Sequence, residues 1–320
     1  MYALLKKSVL LGGRQGLKSA WWLLKIMVPV SFAVALLNWT GAMQVISNAI
    51  SPAFKYFGLP GSASLAFVSG ALLNCYSAIA VMITLPLSHR EITILALMVL
   101  FFHNIPIEAM VQKKTGSSAL FMVLYRLFAS LAGGFCLNLL MPEQALSVAL
   151  ASAQGAAPLS VSFSAMLHDW TVSSLVLIVK IMTIIVGLMI LNRFLEESRA
   201  IVYLSKALSP VLRMLGLPSE AGFLFVVANT LGLAYGGGVM MAQKEEGKIS
   251  LGHLRILNVF IATCHSLLED TLLFVAIGAF GLWLVVPRLV LAGTSVWIYR
   301  GVSRVTGWDT QKQPAQGHHS

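Results

Sequence analysis

Two stretches of the chain share one pattern: ISPAFKYFGLPGSASLAF from Ile50 to Phe67, and LSPVLRMLGLPSEAGFLF from Leu208 to Phe225. Gly58-Leu59-Pro60 in the first stretch corresponds to Gly216-Leu217-Pro218 in the second. A segment that returns in this form in the second half of a chain indicates that the fold is built twice from one unit.

Polar residues recur with the same regularity further along each half. Three pairs are separated by one constant interval, namely His103 and His265, Glu108 and Asp270, and Arg126 and Arg288. Ionisable groups at matching positions of two repeats predict a site at the interface between the repeats.

The amino-acid composition places this repeated unit in a membrane. Of the 320 residues, 58% are hydrophobic and 11% are charged, so the chain has too little polar surface for a soluble protein of this length. Apolar runs of about 20 residues, the length that crosses a bilayer, begin near Trp21, Ile92, Ser118, Val172, Leu251 and Leu282. We therefore expect an integral membrane protein.

The net charge of +10 does not indicate nucleic-acid binding, because the basic residues are not clustered in a soluble domain. Their distribution predicts topology instead. If the stretches Ser62 to Leu87 and Ser219 to Ala242 enter and leave the membrane on one side as re-entrant hairpins, most basic residues share one side. The connection from Pro142 to Asp169, which has no Lys or Arg, then faces the other side, and both termini are cytoplasmic.

Three spans in each half bring the second half into the membrane from the opposite side. The expected fold is an all-α integral membrane protein with two inverted-topology repeats, each with spans, an interfacial amphipathic helix and a re-entrant hairpin. The predicted divisions are a cytoplasmic N-terminal segment (1–19), a first repeat (20–141), a non-cytoplasmic linker (142–170), a second repeat (171–300) and a cytoplasmic polar tail (301–320).

The positions of the hairpins and amphipathic helices follow from local sequence. Helical spacing of apolar residues predicts interfacial helices at Met43 to Phe57 and Ser198 to Leu215. The hairpin tips are expected at Asn74 to Ser77 and at Gly232 to Gly238. Three successive glycines in the second tip, at 236–238, are unfavourable inside a helix and permit a tight turn or a close backbone approach to a ligand.

Polar side chains inside the apolar runs carry most of the functional information. A charge at the bilayer centre costs about 3 kcal/mol on insertion scales, so such residues usually line a cavity or pair within the protein. Pro106, between His103 and Glu108, removes a backbone donor and should interrupt its helix. We expect one midplane cavity whose candidate substrate-binding residues are Asn74, Ser77, His103, Asn104, Glu108, Asn229, Thr230, Tyr235, His265, Ser266, Glu269 and Asp270.

A structural role is the alternative for several of these residues. Glu108 with Arg126, and Asp270 with Arg288, can form two interior ion pairs, which would leave Glu269 as the unpaired carboxylate. The Asn, Ser and Thr residues of the hairpins can cap half-helices rather than contact a ligand.

The same residues form an ordered pattern of motifs. It consists of Gly58-Leu59-Pro60 with its copy at Gly216, His103 to Glu108 followed by Gln112 to Gly116, and His265 to Asp270. This pattern, which extends from about Ala20 to Arg300, resembles the Gate, or nucleoside-recognition, family.

The resemblance implies a multi-pass protein of the bacterial cytoplasmic membrane. Relatives in that family include concentrative nucleoside transporters, the membrane part of ferrous-iron transporters, spore-maturation membrane proteins and stand-alone double-Gate proteins of bacteria, to which the chain is most similar. The first hairpin lacks the Gln-Thr-Glu cluster of the nucleoside transporters, and no G-x-x-x-x-G-K-[ST] sequence for a GTP-binding domain occurs.

We therefore expect a secondary-type transporter that moves a small polar solute by alternating access, with H⁺ or Na⁺ as candidate coupling ions. Divalent metal transport and a non-transporting role as an envelope-assembly membrane subunit are the alternatives. The histidines and acids have no tight motif spacing, so the sequence assigns no metal site, no cofactor and no catalytic residue. The expected partners are the lipid bilayer, the solute and a second copy of the chain, without nucleic acid.

Overall fold

The structure is a computed structural model that describes residues 2–42, 45, 48, 52–142, 162–198, 200–218, 220–230 and 232–306. Within these ranges the chain forms helices and turns and no β-strand. The helices of the first half are α1 (Tyr2–Trp39), α2 (Ala63–Leu72), α3 (Cys75–Met82), α4 (His89–Phe101), α5 (Ile105–Lys114) and α6 (Ala119–Leu140), with a 3-10 helix at Lys55–Phe57 before α2. Those of the second half are α7 (Phe163–Glu197), α8 (Ala200–Met214), α9 (Ala221–Thr230), α10 (Leu233–Glu245), α11 (Leu251–Thr263), α12 (Glu269–Ala276) and α13 (Gly281–Thr306).

Five helical segments of the described chain are long and apolar enough to cross a membrane. They are Leu5–Trp39, His89–Lys114, Ala119–Leu140, Phe163–Glu197 and Gly281–Val305. The expected sixth crossing, which starts near Leu251, is divided into the shorter helices α11 and α12. The prediction of an all-α membrane protein is confirmed.

The two longest helices, α1 and α7, pack along each other in antiparallel orientation. Lys7 forms an ion pair with Glu197 at one end, and the rings of Trp39 and Phe163 meet at the other. At 38 residues α1 is about 57 Å long, which exceeds the hydrocarbon thickness of about 30 Å. The segment 1–19, which we expected to precede the first span, therefore belongs from Tyr2 onwards to the same helix.

Each predicted hairpin consists of two short helices with a break between them. Asn74 caps α3, since its side-chain oxygen accepts a hydrogen bond from the backbone N–H of Ser77 at 2.9 Å. In the second half the break lies at Gly232, which has φ 86°. Whether these hairpins re-enter the membrane stays a prediction.

The glycine triplet 236–238 lies inside α10 and forms no turn, so the first of its two predicted roles is wrong. Two of these glycines pack closely against neighbouring residues. A Cβ atom at Gly236 would lie 3.0 Å from the Cα of Ala228, and one at Gly237 would lie 2.5 Å from a methyl group of Val111. The triplet therefore brings α10 close to α5 and α9, where larger side chains would not fit.

The Gly-Leu-Pro motif forms the same turn in both halves. Gly58 has φ 65° and Gly216 has φ 88°. The following leucine donates its backbone N–H to the carbonyl five residues earlier in each case, from Leu59 to Phe54 and from Leu217 to Leu212. Part of the predicted amphipathic helix from Met43, most of the predicted linker 142–170 and the end of the tail lie outside the described residues.

Candidate functional site

Each half contains a helix that stops and then restarts. α4 begins at a capping box, in which the Ser88 side chain accepts from the backbone of Glu91 while the Glu91 side chain accepts from the backbone of Ser88. α5 restarts with Pro106 in its first turn, where a proline needs no hydrogen-bond donor. Asn104 at the first break has φ 49° and Ser266 at the second has φ 45°, so both breaks contain a left-handed residue.

A buried arginine satisfies the backbone at the first break. Arg126 of α6 is 1% exposed, and its guanidinium donates to the carbonyl oxygens of Phe101 at 2.8 Å and His103 at 2.9 Å. Its remaining nitrogen, Nη1, lies 2.7 Å from Oε2 of Glu108. Since α4 ends here without the next helical turn, these carbonyls would otherwise have no partner in an apolar environment.

The second break repeats this arrangement with one difference. Arg288 of α13 donates to the carbonyl oxygen of Thr263 at 3.1 Å and to that of His265. Its Nη1 atom faces the Thr271 hydroxyl at 3.5 Å, and no ion pair with Asp270 forms in the described structure. The expected Asp270–Arg288 pair is therefore wrong, because aspartate is one methylene shorter than the glutamate at the equivalent position.

The two repeated histidines meet at the centre of the molecule. Nε2 of His103 lies 3.3 Å from Nε2 of His265, although 162 positions separate them in the chain. Both atoms lie 3.2 Å from Oε1 of Glu108. Oδ2 of Asp270 lies 3.7 Å from Nε2 of His103. All four side chains are buried, so the halves converge on one cluster of titratable groups.

A cavity of about 240 Å³ adjoins this cluster and receives residues from both halves. It is lined by Asn74, Cys75, Tyr76, His103, Asn104, Ile107, Glu108, Val111, Gly232, Leu233, His265, Ser266 and Asp270. Seven of the twelve candidate residues from the sequence are in this lining: Asn74, His103, Asn104, Glu108, His265, Ser266 and Asp270. The structure therefore gathers most of the candidates around one space.

The other candidates lie elsewhere. Asn229, Thr230 and Glu269 line a second, mostly apolar cavity of about 330 Å³. Ser77 is fully buried and bonds the Asn74 side chain through both its backbone N–H and its hydroxyl. The side chain of Tyr235 is outside the described residues.

Tyr76 lines the cavity but is not among the candidate residues predicted from the sequence. Its hydroxyl donates to Oε1 of Glu269 at 2.8 Å, which joins the first hairpin to α12 of the second half. The available signal was its place inside the predicted tip, between Asn74 and Ser77. Cys75, a second residue of that tip, is buried and also lines the cavity.

Comparison with known proteins agrees with this architecture. The profile of the Gate family, described as nucleoside recognition, matches residues 20–141. The chain is also 32% identical over 276 residues to the uncharacterized membrane protein YvoD of Bacillus subtilis (strain 168), a match that covers 86% of this chain and 88% of that protein. This chain belongs to the Gate family. No solved structure matches it.

Membership of the Gate family confirms the resemblance that the repeated motifs indicated. The long apolar helices and the membrane-protein relative agree that this Gate protein is a multi-pass membrane protein. The matched segment ends at residue 141, so it contains His103, Glu108 and Arg126 but not their counterparts in the second half.

Proposed function

We propose that this protein is a transporter of the bacterial cytoplasmic membrane that carries a small polar solute through the central cavity by alternating access. The observation that supports it is the cavity itself. Buried ionisable groups from two halves of an apolar chain surround a space of about 240 Å³, a volume suited to a small solute. Groups that are costly to bury in a membrane usually line a substrate path.

The broken helices are a second support. Backbone at membrane depth is tolerated without helical hydrogen bonds where it borders a cavity or is buried in protein. Asn104 and Ser266, the left-handed residues of the two breaks, both line the cavity. Interrupted helices from two repeats, with ligand groups at the interruptions, are the arrangement that secondary transporters use.

Reconstitution into proteoliposomes tests this proposal. Uptake would be measured for a panel of nucleosides, small organic anions, small organic cations and divalent metal ions, first with the wild-type chain. The exposed Cys136 would be replaced by serine, and this Cys136→Ser chain shows whether Cys75 in the cavity lining reacts by itself. A cysteine is then introduced at Ile107, which lines the cavity and is 58% exposed, or at Met110, which is 50% exposed and outside the lining.

A membrane-impermeant thiol reagent should stop uptake by Ile107→Cys, and the solute should protect it. Met110→Cys, on the same helix, should be unaffected and serves as the matched control. Equal inhibition of both variants would place the solute path elsewhere. Absence of uptake across the whole panel would overturn transport and favour the envelope-assembly role.

A further inference from the structure

The hydrogen bonds of the two central histidines determine which ring nitrogen carries the hydrogen in the neutral form. Nδ1 of His103 lies 3.1 Å and 3.2 Å from the carbonyl oxygens of Val99 and Leu100. Nδ1 of His265 lies 2.7 Å from the carbonyl oxygen of Ile261. A carbonyl oxygen only accepts, so each Nδ1 carries the hydrogen. In a neutral ring Nε2 then has a free lone pair and donates nothing.

Three acceptors therefore point at one another. The Nε2 atoms of His103 and His265 and Oε1 of Glu108 form a triangle with sides of 3.2, 3.2 and 3.3 Å. The other oxygen of Glu108 is paired with Arg126, which fixes the carboxylate in this orientation. Lone pairs this close repel unless a proton or a metal ion lies between them.

The size of the triangle matches a transition-metal site. Bonds of about 2.0 to 2.1 Å in a tetrahedral arrangement separate neighbouring ligand atoms by about 3.3 to 3.4 Å. We propose that His103, His265 and Glu108 bind a divalent first-row transition-metal ion as the cargo of this protein. Two imidazoles and one carboxylate are a ligand set that Zn²⁺ and Fe²⁺ accept with positions left open for further ligands.

Asp270 provides independent support for a cation at this place. Its side chain is 9% exposed, and its Oδ2 atom has no hydrogen-bond partner although it faces His103. Buried carboxylate oxygens are normally paired or bound to a metal. The ligand atoms of Cys75, His103 and Asp270 also lie within 4.8 Å of one another. These residues form a second set of metal ligands at the cavity, which shares His103 with the first set.

This inference rests on the proposed transport function, because it names the class of the solute. Zn²⁺ and Mn²⁺ are the probes, and equilibrium dialysis of the detergent-solubilised full chain measures their binding. All variants would carry His318→Ala and His319→Ala, since adjacent histidines in the tail can take up transition metals.

The informative variants are His103→Asn and His265→Asn. Asparagine can keep a donor near the position of Nδ1 while it removes Nε2. We expect each variant to weaken binding by more than about 100-fold, since loss of an outer-shell partner alone costs about 10- to 100-fold. His253→Ala is the matched control, because that exposed ring lies beside Glu220, 3.5 Å away, and outside the cavity. Its affinity should be that of the wild type.

X-ray absorption of the Zn²⁺-loaded chain that carries only His318→Ala and His319→Ala keeps the proposal testable if either Asn variant fails to fold. Two imidazoles at about 2.0 to 2.1 Å are expected in its first shell, and a shell without imidazole would overturn the site. Lack of binding by the chain that carries only the two tail replacements, or an affinity of both Asn variants equal to that of this chain, would also overturn it.

Uptake assays separate this inference from the transport proposal. Zn²⁺ or Mn²⁺ uptake that is lost with binding in the Asn variants supports both. Uptake of an organic solute without metal binding overturns the metal site and leaves transport standing. Metal binding without flux of any solute supports the site and overturns transport.

Discussion

Replacement of Arg126 by leucine removes a side chain that both donates hydrogen bonds to backbone carbonyls and forms an ion pair with a carboxylate. Its guanidinium donates to two carbonyl oxygens, those of Phe101 and His103, and pairs with Glu108 at 2.7 Å. Loss of one partner from a buried ion pair costs about 3–5 kcal/mol, and each buried carbonyl left without a donor costs about 1–3 kcal/mol. The single variant should therefore lose at least about 5 kcal/mol of unfolding free energy.

Addition of Glu108→Gln to Arg126→Leu should recover only the unfolding free energy that is lost when the Glu108 carboxylate is left unpaired. A neutral amide leaves no uncompensated charge, so the double variant should recover about 3 kcal/mol or more relative to Arg126→Leu. The free energy of the hydrogen bonds from Arg126 to the two backbone carbonyls should remain lost in the single and the double variant. Unfolding free energies would come from denaturant titration in mixed micelles, followed by far-UV circular dichroism.

The second half of the chain provides the matched control. Arg288 donates to the equivalent carbonyls but forms no ion pair with Asp270 in the described structure. Asp270→Asn should therefore give little or no recovery in an Arg288→Leu background. Equal recovery in the two halves, or none in the first, would refute the assignment of Arg126 to both roles.

Three further predictions concern packing, the link between halves and topology. Gly16→Ala should destabilise the chain by about 1–3 kcal/mol in the same titration, because its Cβ would lie 2.8 Å from the α7 backbone; Gly13→Ala, with no neighbour closer than 3.9 Å, should not. Tyr76→Phe removes the donor to Glu269 and should cost about 1.5–3 kcal/mol, and an unchanged stability would argue against this bond. A Ser147→Cys variant should react with an impermeant thiol reagent only from the non-cytoplasmic side, and labelling from the cytoplasm would contradict the inverted topology.

The membrane class, the helical fold and much of the central cluster could be predicted from the sequence. Composition indicates a bilayer, and the interval of 162 between His103 and His265, which two other polar pairs share, predicts that both occupy equivalent places in two copies of one unit. Equivalent places near the interface of two copies can meet, as these rings do. Pro106 indicated the break before α5, because a missing backbone donor is a local property.

Features that depend on distant neighbours could not be predicted in this way. A glycine triplet permits both a turn and close packing, and only the position of Ala228 and Val111 decides for packing. The role of Arg126 at backbone carbonyls has no sequence signature, since any broken helix supplies such carbonyls. The contact between Tyr76 and Glu269 joins residues 193 positions apart with no repeated counterpart to mark them.

The departure from symmetry between the halves explains why the centre can receive a ligand. Glu108 is long enough to reach Arg126 with one oxygen and the histidines with the other. Asp270 occupies the equivalent place but is one methylene shorter, so its Oδ2 stays without a hydrogen-bond partner beside His103. Two identical halves would give two closed ion pairs. The shorter side chain leaves one carboxylate open, and Asp270→Glu should close it by reaching Arg288, which would raise stability while it weakens binding at the centre. Stability and binding that fall together in that variant would contradict this explanation.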